Sequence, residues 1–242
     1  MLVAYKYRLY PNREQQIYFA KCFGCVRFIY NRMLSDKIDY YKETKQKLNN
    51  TPAQYKKEFE WLKEVDSLAL ANAQINLQTA YNNFFKRPEI GFPKFKSKKN
   101  HKFSYTTNNQ GGNIYVSDKY IKLPKIGLVK VRKHRKFDGL IKSVTVSQNP
   151  SGKYYVSVLV SQDEKEKLPI SNNEIGIDLG IKEFAITSDG EMVENPKYLR
   201  KSEKKLRKLQ KDLSRCKKGS KNREKCRIKV ARQYEKITNQ RK

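Results

Sequence analysis

Residues 174–190 read EIGIDLGIKEFAITSDG. The pattern predicts a short strand, a bend that a glycine permits, a second strand and a turn at Ser188-Asp189-Gly190. Asp178 stands among isoleucine and leucine residues, and a carboxylate in apolar surroundings is costly unless it has a partner or a metal. For an isolated aspartate, a strand whose polar face reaches solvent is the simpler explanation. The residues alone leave both interpretations open.

The charge balance points to a polyanionic partner. The chain has 53 Lys and Arg against 24 Asp and Glu, a formal net charge of +29. Self-repulsion on this scale destabilises a compact state unless a polyanion neutralises it. The 16 Tyr and 11 Phe supply rings on which bases can stack, which favours nucleic acid over a membrane surface. An acidic protein partner is the weaker alternative.

The sequence disfavours a membrane protein and a disulfide-stabilised protein. No apolar run approaches the ~20 residues of a membrane-spanning helix, and the N-terminus lacks the apolar block of a signal peptide. We therefore expect a cytoplasmic, nucleoid-associated protein with no membrane partner. The four cysteines, Cys22, Cys25, Cys216 and Cys226, lie within helical patterns. We expect them to pack against cores rather than bind zinc.

The N-terminal half combines one strand with helices. Residues 2–9 alternate as a strand, and Asn12 with Gln15 predicts a capped helix. Thr51 with Gln54 predicts the start of a second helix, and Ser67 predicts the cap of a third that runs to about Phe85. These helices have apolar residues at helical spacing, so most of their aromatic residues are expected in a core.

A loop and a β-rich region follow. Residues 91–99 read GFPKFKSKK, in which rings alternate with lysines and can stack bases while neutralising phosphates. A solvated loop anchored by one buried Phe explains the same composition equally well. Strands are predicted at 102–107, 113–116, 119–123 and 127–132, then a hairpin of 141–147 and 154–161. Several short antiparallel strands suggest a small barrel.

The last segment is helical and strongly basic. Residues 197–242 hold 20 Lys and Arg against 4 acids, so +16 of the total charge lies there. A solvated helical hairpin with an ordinary apolar seam accounts for part of this pattern. A net charge this large on so few residues also requires phosphates nearby.

Three strings together resemble the TnpB (OrfB) family, the transposon-encoded, RNA-guided DNA endonucleases related to type V CRISPR effectors. They are YKYRLYPN at residues 5–12, GCVRFIYN at 24–31 and EIGIDLG at 174–180. The last resembles the first active-site motif of a RuvC-type nuclease. The resemblance implies an α+β multidomain fold, in which a wedge-like antiparallel β-barrel carries an inserted helical domain. The first part of a RuvC/RNase H-like domain and basic helices would follow.

The resemblance also implies domain boundaries and partners. Residues 1–10 and 91–165 would form the barrel, 11–90 the helical recognition domain, and 166–242 the incomplete nuclease domain. The partners would be guide RNA from the transposon end and double-stranded target DNA.

By the same resemblance, Asp178 is a catalytic residue and a ligand for Mg²⁺. Candidate nucleic-acid contacts come from the resemblance and from charge together. In the N-terminal part they are Lys6, Arg8, Arg27, Asn31, Ser67, Ala71, Gln74, Gln78, Phe92, Lys94, Phe95, Lys96, Lys98 and Thr107. In the C-terminal part they are Lys182, Arg200, Lys204, Lys208, Lys217 and Lys218.

The catalytic set is incomplete in this sequence. Hydrolysis in this fold uses two Mg²⁺ ions, and one aspartate cannot hold both. The resemblance implies a later Glu, a second Asp and a four-cysteine zinc ribbon, and none of them is present. We therefore expect a C-terminally truncated TnpB that binds nucleic acid without cutting it. The alternatives are a nuclease-dead RNA-guided repressor and a generic basic nucleic-acid-binding protein.

Overall fold

The computed structural model describes residues 1–101, 103–163 and 174–241. The chain divides into two compact units, Met1–Asp163 and Glu164–Lys242. The helices of the first unit are α1 (Arg13–Thr44), α2 (Pro52–Glu58) and α3 (Ser67–Lys86), with 3₁₀ turns at Glu60–Glu64, Pro88–Ile90 and Lys98–Asn100. Its strands are β1 (Leu2–Tyr10), β2 (Phe103–Asn108), β3 (Tyr115–Val116), β4 (Tyr120–Leu123), β5 (Gly127–Arg132), β6 (Leu140–Gln148) and β7 (Tyr154–Ser161).

The strands of the first unit form one antiparallel sheet of seven strands in the order β2-β6-β7-β1-β5-β4-β3. The alternation of side chains along each strand places one set of residues in the core, as β7 shows with Val156, Val158 and Val160. Among the described residues no ladder joins the end strands β2 and β3. The predicted strand–helix order is confirmed, and each strand boundary lies within a few residues of its prediction.

Helix α1 provides one wall of this core. Asn12 accepts a hydrogen bond from the Gln15 backbone N–H, and the Gln15 side chain accepts one from the Asn12 N–H, so the predicted capping box is confirmed. One face of the helix is fully buried, including Phe19, Ile29 and Met33. Cys22 and Cys25 are buried on the same face, which confirms their predicted packing role.

Helix α3 begins differently from the prediction. Asp66, not Ser67, is the N-cap, because its carboxylate accepts a hydrogen bond from the Leu68 backbone N–H at 3.3 Å. Ser67 is the first helical residue and its hydroxyl accepts a hydrogen bond from Lys56 Nζ. Asp66 also accepts a hydrogen bond from the Thr107 hydroxyl, which ties the start of α3 to β2. The carboxylate therefore satisfies two groups, one of them on a neighbouring element.

The second unit has a small sheet and two helices. Strands β8 (Ile177–Asp178), β9 (Glu183–Thr187) and β10 (Met192–Glu194) pair antiparallel in the order β10-β9-β8. The long helices α4 (Tyr198–Arg215) and α5 (Lys221–Gln240) form a hairpin. Arg223 closes it by donating hydrogen bonds to the carbonyls of Leu213 and Cys216, each at 3.0 Å. None of the described helices in either unit has the length and apolar character needed to cross a membrane.

Candidate nucleic-acid interface

Asp178 lies at the end of β8, just before the predicted bend. Its strand partner is Ile186, and the bend after it requires Gly180, since a Cβ there would lie 2.9 Å from the Glu183 carbonyl oxygen. The Asn195 side-chain amide holds the far side of the bend by donating to the Ile181 carbonyl at 2.9 Å. The motif therefore presents a carboxylate at a strand end, next to a tightly constrained turn.

For Asp178 the structure shows the solvent-exposed arrangement and not a carboxylate buried among apolar side chains. Its apolar neighbours Ile177, Leu179 and Ile181 are exposed as well. Because Ile177 and Asp178 point to opposite faces of the strand, the described part of the second unit leaves both faces of β8 open. No group of three or more His, Cys, Asp or Glu that could hold a metal occurs among the described residues.

A basic and aromatic surface covers the outward side of the first unit's sheet. Lys6 Nζ lies 4.8 Å from the centre of the Tyr155 ring, and the Arg8 guanidinium lies 5.1 Å from the same ring. The Arg8 guanidinium also lies 5.5 Å from the ring of Tyr10. Lys6 is exposed and Arg8 is half-buried, so both predicted residues face outward together with rings.

Two cations oppose each other on this surface. Arg8 on β1 pairs in register with Arg132 on β5, and Lys130 stands two positions further along, opposite Tyr10. Like charges directly opposite on adjacent strands repel. No acid pairs with Arg8 among the described residues, and its Nη1 atom is buried there without a hydrogen-bond partner. The register therefore brings two cationic residues to neighbouring positions on adjacent strands.

Sequence reasoning missed Arg132, Lys130 and Tyr155. The alternation in residues 127–132, Gly-Leu-Val-Lys-Val-Arg, indicates that Lys130 and Arg132 share one face of a strand. What it does not indicate is that β5 lies beside β1. That pairing joins segments more than 100 residues apart and follows from the topology of the sheet.

Arg27, Asn31 and Lys96 are brought together beside α1. Asn31 receives a hydrogen bond from the Lys96 backbone N–H at 2.7 Å and donates one to its carbonyl at 3.0 Å. Lys96 Nζ lies 4.1 Å from the centre of the Tyr30 ring, and desolvation lowers the pKa of Lys96. Arg27 and Lys96 line a cleft of about 210 Å³. Asn31 therefore anchors the loop, and the two cations point into one cleft.

The rest of the predicted loop contributes rings and charges separately. Lys94, Phe95 and Lys98 are exposed, and Phe95 has 56% of its surface accessible. Phe92 instead packs edge-on against Tyr81 and Phe84, with ring centres 5.5 Å apart in both pairs. Phe92 makes these ring contacts although it is 44% exposed, so neither phenylalanine of the loop is buried, and base stacking by the loop stays a prediction.

Ser67, Ala71, Gln74 and Gln78 follow one stripe of α3 at intervals of three or four residues. Ser67 is exposed and the other three are half-buried. Thr107, predicted to contact DNA with this stripe, is fully buried and donates its hydroxyl proton to Asp66. The prediction that Thr107 contacts DNA is wrong, because its side chain faces inward from β2 and its hydroxyl is bonded to the N-cap residue of α3.

The second unit carries the remaining predicted cations on open surfaces. Lys182 at the bend, Lys217 and Lys218 in the helical connection, and Arg200, Lys204 and Lys208 on α4 are all exposed. A groove on α4 is lined by six cations and no acid: Lys201, Lys204, Lys205, Arg207, Lys208 and Lys211. Lysines and arginines at this density have no structural use and repel one another.

The two ends of the chain match models of one transposase group. Residues 1–46 match the OrfB IS605 model described as "Helix-turn-helix domain", and residues 157–242 match the OrfB IS605 model described as "Probable transposase". Within residues 1–46 the structure has β1 and then α1, so this segment consists of a strand and one uninterrupted helix. The helix-turn-helix named in the description of the family model is therefore not seen in the structure of residues 1–46.

Curated relatives match nearly the whole chain. The "Putative RNA-guided DNA endonuclease InsQ" of Escherichia coli K12 is 32% identical over 246 residues, which cover 98% of this chain and 60% of InsQ. A "Putative RNA-guided DNA endonuclease" of Streptomyces pristinaespiralis is 34% identical over 250 residues, covering 98% of this chain and 61% of the relative. The chain thus spans about three fifths of the length of these relatives.

Among solved structures, a Cas12f1–sgRNA–target DNA complex aligns with a TM-score of 0.49 at 12% identity, covering 93% of this chain and 60% of that one. The molecule is a strongly basic, mixed α/β protein with a large antiparallel sheet, of the transposase class that the family models describe. Within that class, the chain belongs to the TnpB (OrfB) family.

Proposed function

We propose that this chain forms the nucleic-acid-binding portion of an RNA-guided DNA endonuclease and binds both guide RNA and double-stranded target DNA. The observation that carries the proposal is the groove of six cations on α4, which has no acid in its lining. Such a groove matches the uniform negative charge of a sugar–phosphate backbone, whose neutralisation releases counterions and drives binding. The relatives' names, which include RNA-guided DNA endonuclease activity, support the same assignment.

We assign the fold accordingly. The seven-stranded sheet of the first unit would be the wedge-like barrel, and α1 to α3 the inserted recognition domain. The three-stranded sheet with its Asp178 motif would be the first part of the RuvC-like nuclease domain. The order of these elements along the chain supports the assignment, because strand, helices, sheet and motif follow in the sequence that the family resemblance implies.

The proposed division of labour follows from the chemistry of the surfaces. Guide pairing reads the target sequence in such systems, while the protein holds the heteroduplex through its backbone and shape. The cations of α4 would bind that backbone. Arg8 and Arg132 would hold a phosphate between them, and the stripe from Ser67 to Gln78 on α3 would contact the flanking duplex.

Asp178 is proposed as one ligand of the catalytic Mg²⁺. The fit is partial: an exposed carboxylate at a strand end suits a hard cation, but the described residues form no group of three or more His, Cys, Asp or Glu that could hold a metal. Mg²⁺, when bound, would supply charge neutralisation at the scissile phosphate. Because one carboxylate cannot hold two ions, we propose that the 242-residue chain binds DNA and does not cut it.

The binding proposal is tested by the salt dependence of affinity for a labelled duplex, measured by fluorescence anisotropy. Lys204→Gln/Lys208→Gln should reduce the slope of log K against log salt by about 0.9 for each lost phosphate contact. The matched control is Lys21→Gln/Lys63→Gln, whose ammonium groups already pair with Glu64 at 2.5 Å and Glu60 at 3.2 Å. An equal slope in all three proteins would refute the role of the α4 groove.

The proposal that the chain binds without cutting has its own test. Incubation of the chain with a guide and a matching plasmid in Mg²⁺ should leave the plasmid intact. Cutting that Asp178→Ala abolishes would contradict it and would place a complete active site in this chain.

A second function, RNA-guided repression without cleavage, is favoured by the lack of any group of three or more metal-binding side chains among the described residues. The RNA that copurifies with the chain distinguishes RNA-guided repression from generic nucleic-acid binding. A discrete RNA species is expected for either guided function, whereas bulk RNA of mixed sequence would indicate a generic basic binder.

A further inference from the structure

An aromatic groove of about 600 Å³ lies in the first unit and shares only Gln78 and Phe92 with the surfaces described above. It runs between the C-terminal halves of α1 and α3 and is closed at one end by the loop before α2. Its apolar lining includes Tyr41, Leu48, Tyr81, Phe84, Phe85 and Phe92. The volume is within the usual range of about 300–1,000 Å³ for a ligand site.

The rings form a fixed platform with an open side. Tyr81 and Phe85 are nearly parallel, with centres 6.3 Å apart and planes 20° apart. Phe92 meets Tyr81 and Phe84 edge-on and so holds the base of the platform in place. Phe85 is 73% exposed and Tyr41 is 57% exposed, although Lys45 Nζ lies over the Tyr41 ring at 5.8 Å from its centre, so each ring keeps surface open to solvent. Exposed rings clustered in this way mark a binding surface rather than scattered surface residues.

The charges of the groove are cationic. Lys37, Lys42 and Lys47 line it, and Lys42 pairs with Asp39 at 3.6 Å. Lys37 Nζ donates a hydrogen bond to the Leu48 carbonyl at 2.5 Å, and burial and the charge of Lys47 lower the pKa of Lys37. No acid pairs with Lys37 or Lys47 among the described residues. A phosphate beside the groove would neutralise this pair.

Few side chains of the lining have an amide that could contact a base edge: Gln46, Gln78 and Asn82. Gln78 Nε2 donates to Asn82 Oδ1 at 2.9 Å, which leaves the two amides bonded to each other. Recognition in this groove would therefore depend on stacking and charge, which tolerate any base sequence. Open ring faces with unpaired lysines suit a single strand better than a duplex, because bases within a duplex are already stacked.

We propose that this groove binds unpaired bases of a single-stranded nucleic acid, which stack on Phe85 and Tyr41 while Lys37, Lys42 and Lys47 neutralise the adjoining phosphates. The proposal rests on the proposed function and deepens it, because it assigns single-stranded segments of the guide or target to a surface separate from the α4 groove. An acidic amphipathic peptide, or a second copy of this chain, is the competing occupant.

The test uses the full 242-residue chain and an unstructured oligonucleotide that contains 2-aminopurine, whose fluorescence falls on stacking. Phe85→Ala should weaken binding about five- to 150-fold and remove the quenching, since base–aromatic stacking is lost. Phe85→Leu should lose nearly as much affinity, because leucine lacks the ring although it keeps an apolar contact. Ile17→Ala, an exposed apolar position elsewhere on α1, is the control and should bind like the parent chain.

The outcomes separate the ideas. Full affinity and quenching in Phe85→Ala would overturn the inference, and so would full affinity in Phe85→Leu, which would indicate apolar docking instead. A dimer in the parent chain that Phe85→Ala dissociates would also overturn it and assign the groove to a second copy. Salt-dependent duplex binding that persists in every groove variant would leave the proposed function intact, while its absence in the parent chain would refute that function itself.

Discussion

The two units of the chain use their apolar residues in opposite ways. The first unit builds one continuous core from both sheet and helices, and its largest side chains, such as Phe19, Ile29 and Leu70, are fully buried. In the described part of the second unit the buried hydrophobic residues are Ala185, Val230 and Ile237. Leu179 and Ile181, in the bend between β8 and β9, are 72% and 90% exposed. The first unit thus buries its large apolar side chains, whereas the described part of the second unit leaves apolar side chains exposed to solvent.

Both units carry a large excess of positive charge. Residues 197–242 hold 20 Lys and Arg against 4 acids, and six of these cations line a single groove on α4. The first unit, Met1–Asp163, holds 30 Lys and Arg against 12 Asp and Glu, and it contains ion pairs such as Lys21–Glu64 and Lys63–Glu60. The two units therefore differ in the burial of their apolar residues more than in the sign of their charge.

The largest effect is expected in the core of the first unit. Ile29→Ala should lower its free energy of unfolding by about 2–5 kcal/mol, because a fully buried side chain is removed and a cavity remains. Trp61, the single tryptophan, reports on this unit, since its ring lies 4.9 Å from that of Phe28. Urea unfolding followed by Trp61 fluorescence measures the loss. Ile17→Ala, the same change at a 53% exposed site of α1, is the control.

A loss below about 1 kcal/mol for Ile29→Ala would contradict the comparison, because it would mean that α1 is not packed as a core element. An equally large loss in Ile17→Ala would indicate that this exposed position is covered in solution.

A smaller effect is expected where helix and sheet of the first unit are joined. Asp66→Ala should cost about 1–3 kcal/mol, because it removes the cap of α3 and leaves the buried Thr107 hydroxyl without an acceptor. The double variant Asp66→Ala/Thr107→Val should be less destabilised than the single Asp66 variant, since removing both partners leaves no unsatisfied group. Urea unfolding with the Trp61 signal tests both. A double variant that is less stable than Asp66→Ala would refute the hydrogen bond between Thr107 and Asp66.

The Asp66 site also shows what sequence reasoning could and could not supply. Local signals placed elements well: the Asn12–Gln15 and Thr51–Gln54 capping boxes and the alternation of residues 154–161 each appear in the structure as predicted. Choosing between Asp66 and Ser67 as the cap of α3 was beyond local signals, because both residue types cap helices. The choice depends on Thr107, which lies 41 residues away and pairs with Asp66.

The candidate sites follow the same rule. The exposure of Arg200, Lys204 and Lys208 could be predicted from charge density, since a helix with so many cations exposes them whatever it packs against. The opposition of Arg8 and Arg132 needs the order of strands in the sheet, which no periodicity encodes. The family resemblance identified Asp178, but its exposure depends on what covers the small sheet, and that is a tertiary property.

The smallest effect is expected in the second unit. Leu179→Ser should change the free energy of unfolding by less than about 0.5 kcal/mol, because the side chain is 72% exposed and loses little contact. Far-UV circular dichroism in urea measures this, and Leu70→Ser in the first unit provides the buried counterpart. Leu179→Ser should also bind the dye ANS with lower fluorescence than the parent chain does, since ANS reports open apolar surface. A loss above about 2 kcal/mol would mean that Leu179 is buried in solution, and the contrast between the two units would then fail.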